Sequence, residues 1–234
     1  MRESYFLWNA LKLLIQEIIG GGRELNEGGT SQTYEISVRE KLLNSEVDKF
    51  NEATIFYKPT EVDCEIYIRS FGSINPATMD YQTDLYLRQR WKDPRLEYAV
   101  TNESLDLNDP NLVKRIWKPE VFFPNAKFAD FQYVTVPNVL VRINPGGEIL
   151  YMLRLKLTFS CMMRLQRYPL DSQVCHVEIG SFSKTTSELN LTWYKKEPVK
   201  LYPKLTLPQF RIERVITTHC EENFQIGELK RIFE

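Results

Sequence analysis

Residues 161–175 read C-M-M-R-L-Q-R-Y-P-L-D-S-Q-V-C, and this segment is more informative about structure and function than any other part of the chain. A disulfide between its terminal cysteines would close a loop around the turn-forming core Tyr168–Asp171. Such a bond would indicate an oxidising, extracellular setting and would stabilise the fold by roughly 3 kcal/mol. The Tyr168–Pro169 bond is a candidate cis peptide, because proline weakens the preference for trans. On spacing alone, a stapled hairpin with no further role is an equally good interpretation.

On both sides of this segment, apolar residues alternate with polar ones, the pattern of half-buried strands. The apolar members of the clearest stretches are Cys64, Ile66 and Ile68; Leu85 and Leu87; Leu153, Leu155, Leu157 and Phe159; and Leu189, Leu191 and Trp193. The sequence N-P-G-G at 144–147 predicts a hairpin turn between strands at 139–143 and 149–160. Seven or more such strands predict an all-β fold, an immunoglobulin-like antiparallel β-sandwich.

The N-terminal part of the chain has a different composition. Residues 5–19 are apolar but interrupted by charges, which fits a poor signal peptide or an amphipathic helix and is too short and polar to span a bilayer. Residues 20–32 are glycine-rich and typical of a linker. Apolar spacing over 34–50 predicts one short amphipathic α-helix. We therefore expect a leader or flexible segment over 1–33 and one folded domain over 34–234.

Composition excludes several function classes. The net charge is −1, from 30 basic and 31 acidic residues, so no basic excess would attract nucleic acid. The only histidines, His176 and His219, have no metal or catalytic spacing, and no phosphate-binding glycine loop is present. We expect no enzyme activity, no metal and no cofactor. N-glycosylation sequons at Asn102 and Asn190 favour an extracellular location.

Two strands carry polar faces that could bind a ligand. Tyr86 and Arg88 lie opposite Leu85 and Leu87, while Met152 and Arg154 form a similar pair on the strand at 149–160. Arginine can clamp a carboxylate, and aromatic rings can hold an ammonium by cation–π attraction. A site with both groups would suit a small amino acid or amine. The alternative is that both arginines are ordinary solvated cross-strand residues.

Loops of the predicted sandwich are rich in aromatic residues. Phe122 and Phe123 follow Trp117, Phe182 follows Ser181, and Phe224 lies near the end of the chain. Any one of these rings could simply pack the end of a sandwich. Considered singly, that interpretation is the default.

Several ordered motifs resemble one family. They are the disulfide-loop sequence with its aromatic-Pro-x-Asp core, W-K-D-P-R-L (91–96), W-K-P-E-V-F-F-P-N (117–125) and V-T-V-P-N-V-L-V-R-I (134–143). Together they resemble the extracellular domain of a Cys-loop pentameric ligand-gated ion channel, over about 34–234. Within that family the chain is most similar to the invertebrate inhibitory branch, which is gated by glutamate, glycine, histamine, GABA or protons.

The resemblance implies a binding site between two subunits of a pentamer at the extracellular face of the cell membrane, and a postsynaptic location agrees with it. One subunit would supply the aromatic loops, and the neighbour would supply the strand residues. The residues assigned to the site are Phe122, Phe123, Ser181, Phe182 and Phe224 from one subunit, and Tyr86, Arg88, Met152 and Arg154 from the other. The ligand would be a small-molecule agonist. A Cys161–Cys175 disulfide loop, including Arg164, Tyr168, Pro169 and Asp171, would rest on the membrane domain and relay binding to a chloride-conducting pore.

The chain departs from the family pattern at several positions. Arg164 stands where many relatives have an acidic residue. Arg231 falls where the partner of Cys220 would be, so Cys220 is expected to be unpaired, and Cys64 is expected to be a buried free thiol. Met152, Ile226 and Leu229 replace residues typical of glycine and glutamate receptors, which weakens either assignment and leaves another amine, a proton or an orphan ligand open.

The chain shows no pore segment up to Glu234, so we expect a fragment or an excised domain of a channel. Two other functions remain open from the sequence. A soluble secreted binding protein of the same fold would have no pore at all. A β-sandwich adhesion module unrelated to channels is the third possibility.

Overall fold

A computed structural model describes residues 58–98, 102–107, 109–195, 197–207, 210–224 and 227–233; of 222–224, 227–231 and 233 only the backbone is described. The predicted leader and the helix predicted over 34–50 lie outside these residues. The strands of the described part are β1 (Thr60–Asn75), β2 (Asp80–Lys92), β3 (Leu105–Leu107), β4 (Val121–Phe122), β5 (Ala126–Phe131), β6 (Val139–Ile143), β7 (Glu148–Ser160), β8 (Glu178–Ser181), β9 (Leu189–Trp193), β10 (Val199–Leu201), β11 (Thr218–Phe224) and β12 (Gly227–Phe233). The helical elements of the described part are α1 (Pro110–Arg115) and two 3₁₀ turns, Pro94–Leu96 and Leu165–Arg167.

The strands form two sheets, and the predicted all-β sandwich is confirmed. The larger sheet runs β10-β1-β2-β7-β6-β3, with β5 also paired to β7 and β9 to β1. The smaller sheet runs β11-β12-β8-β4. Most pairs are antiparallel, but β1 pairs in parallel with both β9 and β10. These parallel pairs bring β9 and β10, from the C-terminal half of the chain, beside β1.

Alternation along the long strands separates a buried face from a polar one. Ile66, Leu87 and Leu155 are buried in the core, and their chain neighbours point to the opposite face. Ile179 and Ile232 of the smaller sheet join the same core. Burial of this apolar face stabilises the sandwich and fixes the register, because a one-residue slip would exchange the two faces.

The predicted hairpin turn between β6 and β7 is present, and it explains the W-K-D-P-R-L motif. Gly147 has a positive φ of 75°, and a Cβ there would lie 2.6 Å from the carbonyl oxygen of Asp93. The Asp93 N–H donates to the Gly147 carbonyl at 2.9 Å. The Asp93 carboxylate accepts from the Arg95 backbone and binds its guanidinium. The motif therefore anchors the hairpin at the end of β2.

Within the described residues, no helix has the length and apolar character needed to cross a membrane. The same residues contain no cluster of acidic, histidine or cysteine side chains that could hold a metal ion.

Candidate functional site

The four strand residues predicted from alternation form one patch, here called the arginine face: Tyr86, Arg88, Met152 and Arg154. Tyr86 on β2 pairs directly with Arg154 on β7, and Arg88 pairs with Met152. Directly opposite residues point to the same face of a sheet and lie close together. Alternation predicted that Tyr86 and Arg88 share the polar face of β2, and that Met152 and Arg154 share that of β7. The register between β2 and β7 places these two sets of side chains next to each other.

Arg154 is held by a carboxylate of its own chain. Its Nε and Nη2 donate to the two carboxylate oxygens of Asp84, at 3.0 and 2.6 Å, in a bidentate pair. Its Nη1 lies 3.5 Å from the side-chain oxygen of Asn138. Hydrogen bonds to Asp84 raise the pKa of Arg154. Asp84 therefore already accepts from the two guanidinium donors, Nε and Nη2, with which Arg154 would bind a ligand carboxylate.

A second carboxylate, Glu65 on β1, lies beneath the arginine face and gathers three cations. Its Oε1 accepts from Arg88 Nη1 at 3.1 Å and from Lys200 Nζ at 2.8 Å, and its Oε2 accepts from Arg90 Nη2 at 2.9 Å. Burial disfavours the charged carboxylate, but hydrogen bonds from Lys200 and Arg90 outweigh that cost and lower the pKa of Glu65. Glu65 is therefore ionised at neutral pH.

Tyr67 adds a second aromatic ring to the arginine face, beside Tyr86. Tyr67 on β1 is directly opposite Tyr86, and their ring centres are 6.0 Å apart. The Arg88 guanidinium lies 6.0 Å from the centre of the Tyr67 ring, and that of Arg154 lies 5.9 Å from the Tyr86 ring. Both distances fall at the outer limit of cation–π attraction. The face thus presents alternating rings and guanidinium groups.

A second patch, here called the aromatic edge, consists of Phe122 and Phe182. Phe122 on β4 pairs with Gly180 on β8, which brings the two rings to 5.6 Å in an edge-to-face arrangement. Phe182 remains 69% exposed although its side chain is large and apolar. An exposed ring supported by a second ring offers a stable surface for a ligand cation.

The loop that carries Phe182 is fixed by an acidic residue. The Phe182 N–H donates to the Glu120 carbonyl at 3.1 Å, and the Ser183 hydroxyl donates to the Glu120 carboxylate. Ser181 is buried, and its hydroxyl oxygen accepts from the Lys184 N–H at 3.0 Å. Ser181 thus shapes this loop from beneath, and an exposed carboxylate lies beside the aromatic edge.

Two other predicted aromatics occupy different places. Phe123 lies apart from the aromatic edge, with its ring 5.7 Å from that of the buried Phe159. Phe224 ends β11, at the tip of the β11–β12 hairpin, where the backbone alone is described. That hairpin is joined to β8 through the Arg231–Gly180 pair. The smaller sheet therefore carries all three predicted loops, while the structure brings together the rings of Phe122 and Phe182.

The predicted disulfide between Cys161 and Cys175 is present, and the Tyr168–Pro169 bond is cis. Gln173 closes the loop from within: its side chain accepts from the Arg164 N–H at 2.8 Å and donates to the Arg164 carbonyl at 3.0 Å. It also donates to the Asp171 carboxylate. The most exposed apolar side chains of the loop are Met162, Tyr168, Leu170 and Val174.

The remaining cysteines are free, as predicted. Cys64 is buried, and burial raises the pKa of its thiol to about 12. Cys220 is half-buried and pairs across the β11–β12 hairpin with Arg231. The register therefore puts an arginine opposite Cys220, at the position where a second cysteine would be needed for a disulfide.

The two sequons lie in different environments. Asn102 is exposed in an irregular bend. Asn190 is half-buried within β9 and pairs with Glu61 of β1. The hydroxyl of its sequon residue Thr192 donates to the Asp63 carboxylate at 2.7 Å. Asn102 is therefore the more exposed of the two sequon asparagines.

Sequence reasoning missed the residues that support the arginine face: Glu65, Tyr67, Asp84, Arg90, Asn138 and Lys200. Glu65, Tyr67 and Asp84 share the parity of polar positions, so alternation could have placed them on this side of their strands. The contribution of Lys200 depends on the parallel pairing of β10 with β1, which no local pattern indicates.

Comparison with known protein families gives a match over most of the chain. The family model described as neurotransmitter-gated ion-channel ligand binding domain matches residues 38–230. The matched range includes both patches and the disulfide loop.

Proposed function

The chain belongs to the family of neurotransmitter-gated ion-channel ligand-binding domains, and from this premise we propose that it binds a small amino acid or amine between two channel subunits. One subunit contributes the aromatic edge, with Phe123, Ser181 and Phe224 as further members of its loops. The neighbouring subunit contributes the arginine face. The family is one of ligand-gated channels and not an enzyme class.

The observation that carries this proposal is the opposite character of the two patches. At the arginine face, Arg88 shares the Glu65 carboxylate with the supporting residues Arg90 and Lys200, so three cations share one anion. The aromatic edge offers two rings and the carboxylate of Glu120. A ligand with an ammonium group at one end and a carboxylate at the other matches both patches, because aromatic rings attract cations and guanidinium groups bind carboxylates.

We further propose that the subunit assembles into a pentamer with identical or homologous copies. A stretch of exposed apolar side chains supports an assembly surface on and after β5: Phe128, Phe131, Tyr133, Val134 and Val136. The rings of Phe131 and Tyr133 lie 6.0 Å apart, and a concentration of exposed apolar side chains in one segment is typical of protein contacts.

We propose that the disulfide loop couples agonist binding to the pore. Its exposed Met162, Leu170 and Val174 would pack on a membrane domain, while Gln173 keeps the loop rigid enough to transmit a displacement. The channel would lie in the cell membrane with this domain outside, and a postsynaptic membrane is part of the proposal. Chloride conduction is part of the proposal and is supported by the resemblance to inhibitory relatives alone.

The test is a recording from cells that express the full-length subunit. Glycine, L-glutamate, GABA, histamine and steps of acid and alkaline pH are applied in turn, and ion substitution gives the reversal potential. A current that follows the chloride equilibrium potential supports the proposal. Secretion of the subunit into the medium, with no membrane fraction, would favour the soluble binding protein.

A further inference from the structure

We propose that Glu65 is a positioning and specificity-determining residue of the arginine face, which orients Arg88 toward a ligand carboxylate. This inference rests on the proposed function. It assigns a role to a buried acidic residue that makes no contact with a ligand itself.

The Glu65 side chain is held in a fixed position by its surroundings. Its side chain is 1% exposed, whereas those of Arg88, Arg90 and Lys200 remain partly exposed above it. The carboxylate receives hydrogen bonds on both oxygens from three different side chains. These come from β2 and β10, which pair with β1 along its two opposite edges. Glu65 therefore joins three strands beneath the site.

Glu65 leaves Arg88 with donors to spare. Within the described part of the chain, Arg88 donates to Glu65 through Nη1 alone. Arg154 differs, because Asp84 takes both Nε and Nη2. Of the two arginines of the arginine face, Arg88 is thus the one with a free guanidinium edge, and its remaining donors suit a bidentate carboxylate.

The same arrangement sets the charge of the face. Three cations around one carboxylate leave two net positive charges. Removal of the Glu65 charge would increase attraction for anions in general, an effect that salt screens. The same substitution would weaken the hydrogen bond between Arg88 and Glu65, so the long Arg88 side chain would no longer be held in one orientation. When Glu65 holds Arg88 in place, the guanidinium can make a directional contact with a ligand carboxylate. Loss of that contact would reduce the discrimination of the site between a carboxylate and a neutral amide.

The first experiment needs no agonist. Full-length wild-type and Glu65→Gln subunits on cells are treated with p-hydroxyphenylglyoxal, and labelled arginines are located by mass spectrometry. We expect labelling of Arg88 and Arg90 to rise several-fold in the variant, with Arg142 unchanged. Asp80→Asn serves as the control, because it removes a carboxylate of the neighbouring strand β2 that is paired with Lys127. Equal labelling of Arg88 in wild type and variant would overturn the positioning role.

The second experiment compares agonists. Whichever amino acid of the panel opens the channel is tested beside its amide. In Glu65→Gln we expect the apparent affinity for the amino acid to fall about tenfold and the preference over the amide to shrink, with partial rescue by Glu65→Asp. Equal losses for acid and amide would indicate a structural role and overturn the specificity claim. If labelling changes but no panel member opens the channel, the positioning of Arg88 stands and the proposed function fails.

Discussion

Tyr86 on β2 lies directly opposite Arg154 on β7, and the guanidinium of Arg154 is 5.9 Å from the centre of the Tyr86 ring. This pair joins the two central strands of the larger sheet on their polar side. Arg154 is also fixed by Asp84, two residues before Tyr86, so its position is determined twice. The two arginines of the face therefore differ: Arg154 organises it, and Arg88 has donors left for a ligand.

Arg88→Ala is expected to reduce apparent agonist affinity at least tenfold, because a charge-assisted hydrogen bond contributes about 1.5–3 kcal/mol. Folding should be retained, since Glu65 keeps Arg90 and Lys200 as partners. The measurements are concentration–response curves and surface expression of the full-length subunit. Lys92→Ala is the matched control, on the same strand and face but paired with Glu97. Unchanged affinity for every active agonist would remove Arg88 from the site.

Asp84 and Arg154 should show strong coupling in stability. Each single substitution, Asp84→Asn or Arg154→Met, leaves a charged group at the arginine face without its bidentate partner. A double-mutant cycle measured by denaturant unfolding should give a coupling free energy of about 1–2 kcal/mol. A cycle on the exposed pair Lys58–Glu61 should give less than about 1 kcal/mol. Equal coupling in the two cycles would contradict the organising role of Arg154.

Phe182→Ala is expected to weaken binding of agonists that carry an ammonium group by about 0.5–2 kcal/mol, or roughly 2- to 30-fold. Phe182→Tyr should retain most of the affinity, because the ring and its contact with Phe122 are kept. Phe210→Ala is a suitable control, since Phe210 is another exposed phenylalanine, at 36% against 69% for Phe182, and belongs to neither patch nor to the proposed assembly surface. Similar losses in both alanine variants would show that exposed apolar surface, and not the aromatic edge, governs the response.

The two free cysteines should differ in reactivity. Burial raises the pKa of Cys64 to about 12, so its thiol stays protonated between pH 7 and about 9 and is shielded from reagents. Cys220 is half-buried and should react with iodoacetamide in the native chain. Peptide mapping after native labelling should find Cys220 modified and Cys64 modified only after unfolding. A Cys64–Cys220 linkage, or faster labelling of Cys64, would be inconsistent with the structure.

Much of the fold could be predicted from the sequence, because alternation is a local property of each strand. Leu85, Leu87, Leu153 and Leu155 mark the buried face directly. The cross-strand partners could not be predicted, since register depends on contacts between distant segments. Glu65 illustrates the limit: alternation gives it a polar position, yet it is buried because Arg88, Arg90 and Lys200 cover it.

Arg164 provides a test of the proposed coupling role of the disulfide loop. Its backbone N–H and carbonyl are both held by Gln173, and its side chain is exposed. Reversal of its charge in Arg164→Glu should therefore leave the loop backbone unchanged and alter the electrostatic contact with a membrane domain. We expect the maximal agonist current to change several-fold, while the displacement of agonist by a competing ligand stays the same. Lys92→Glu reverses a charge far from the loop and should change neither quantity. A change in agonist displacement with an unchanged maximal current would place Arg164 in binding and would contradict coupling through this loop.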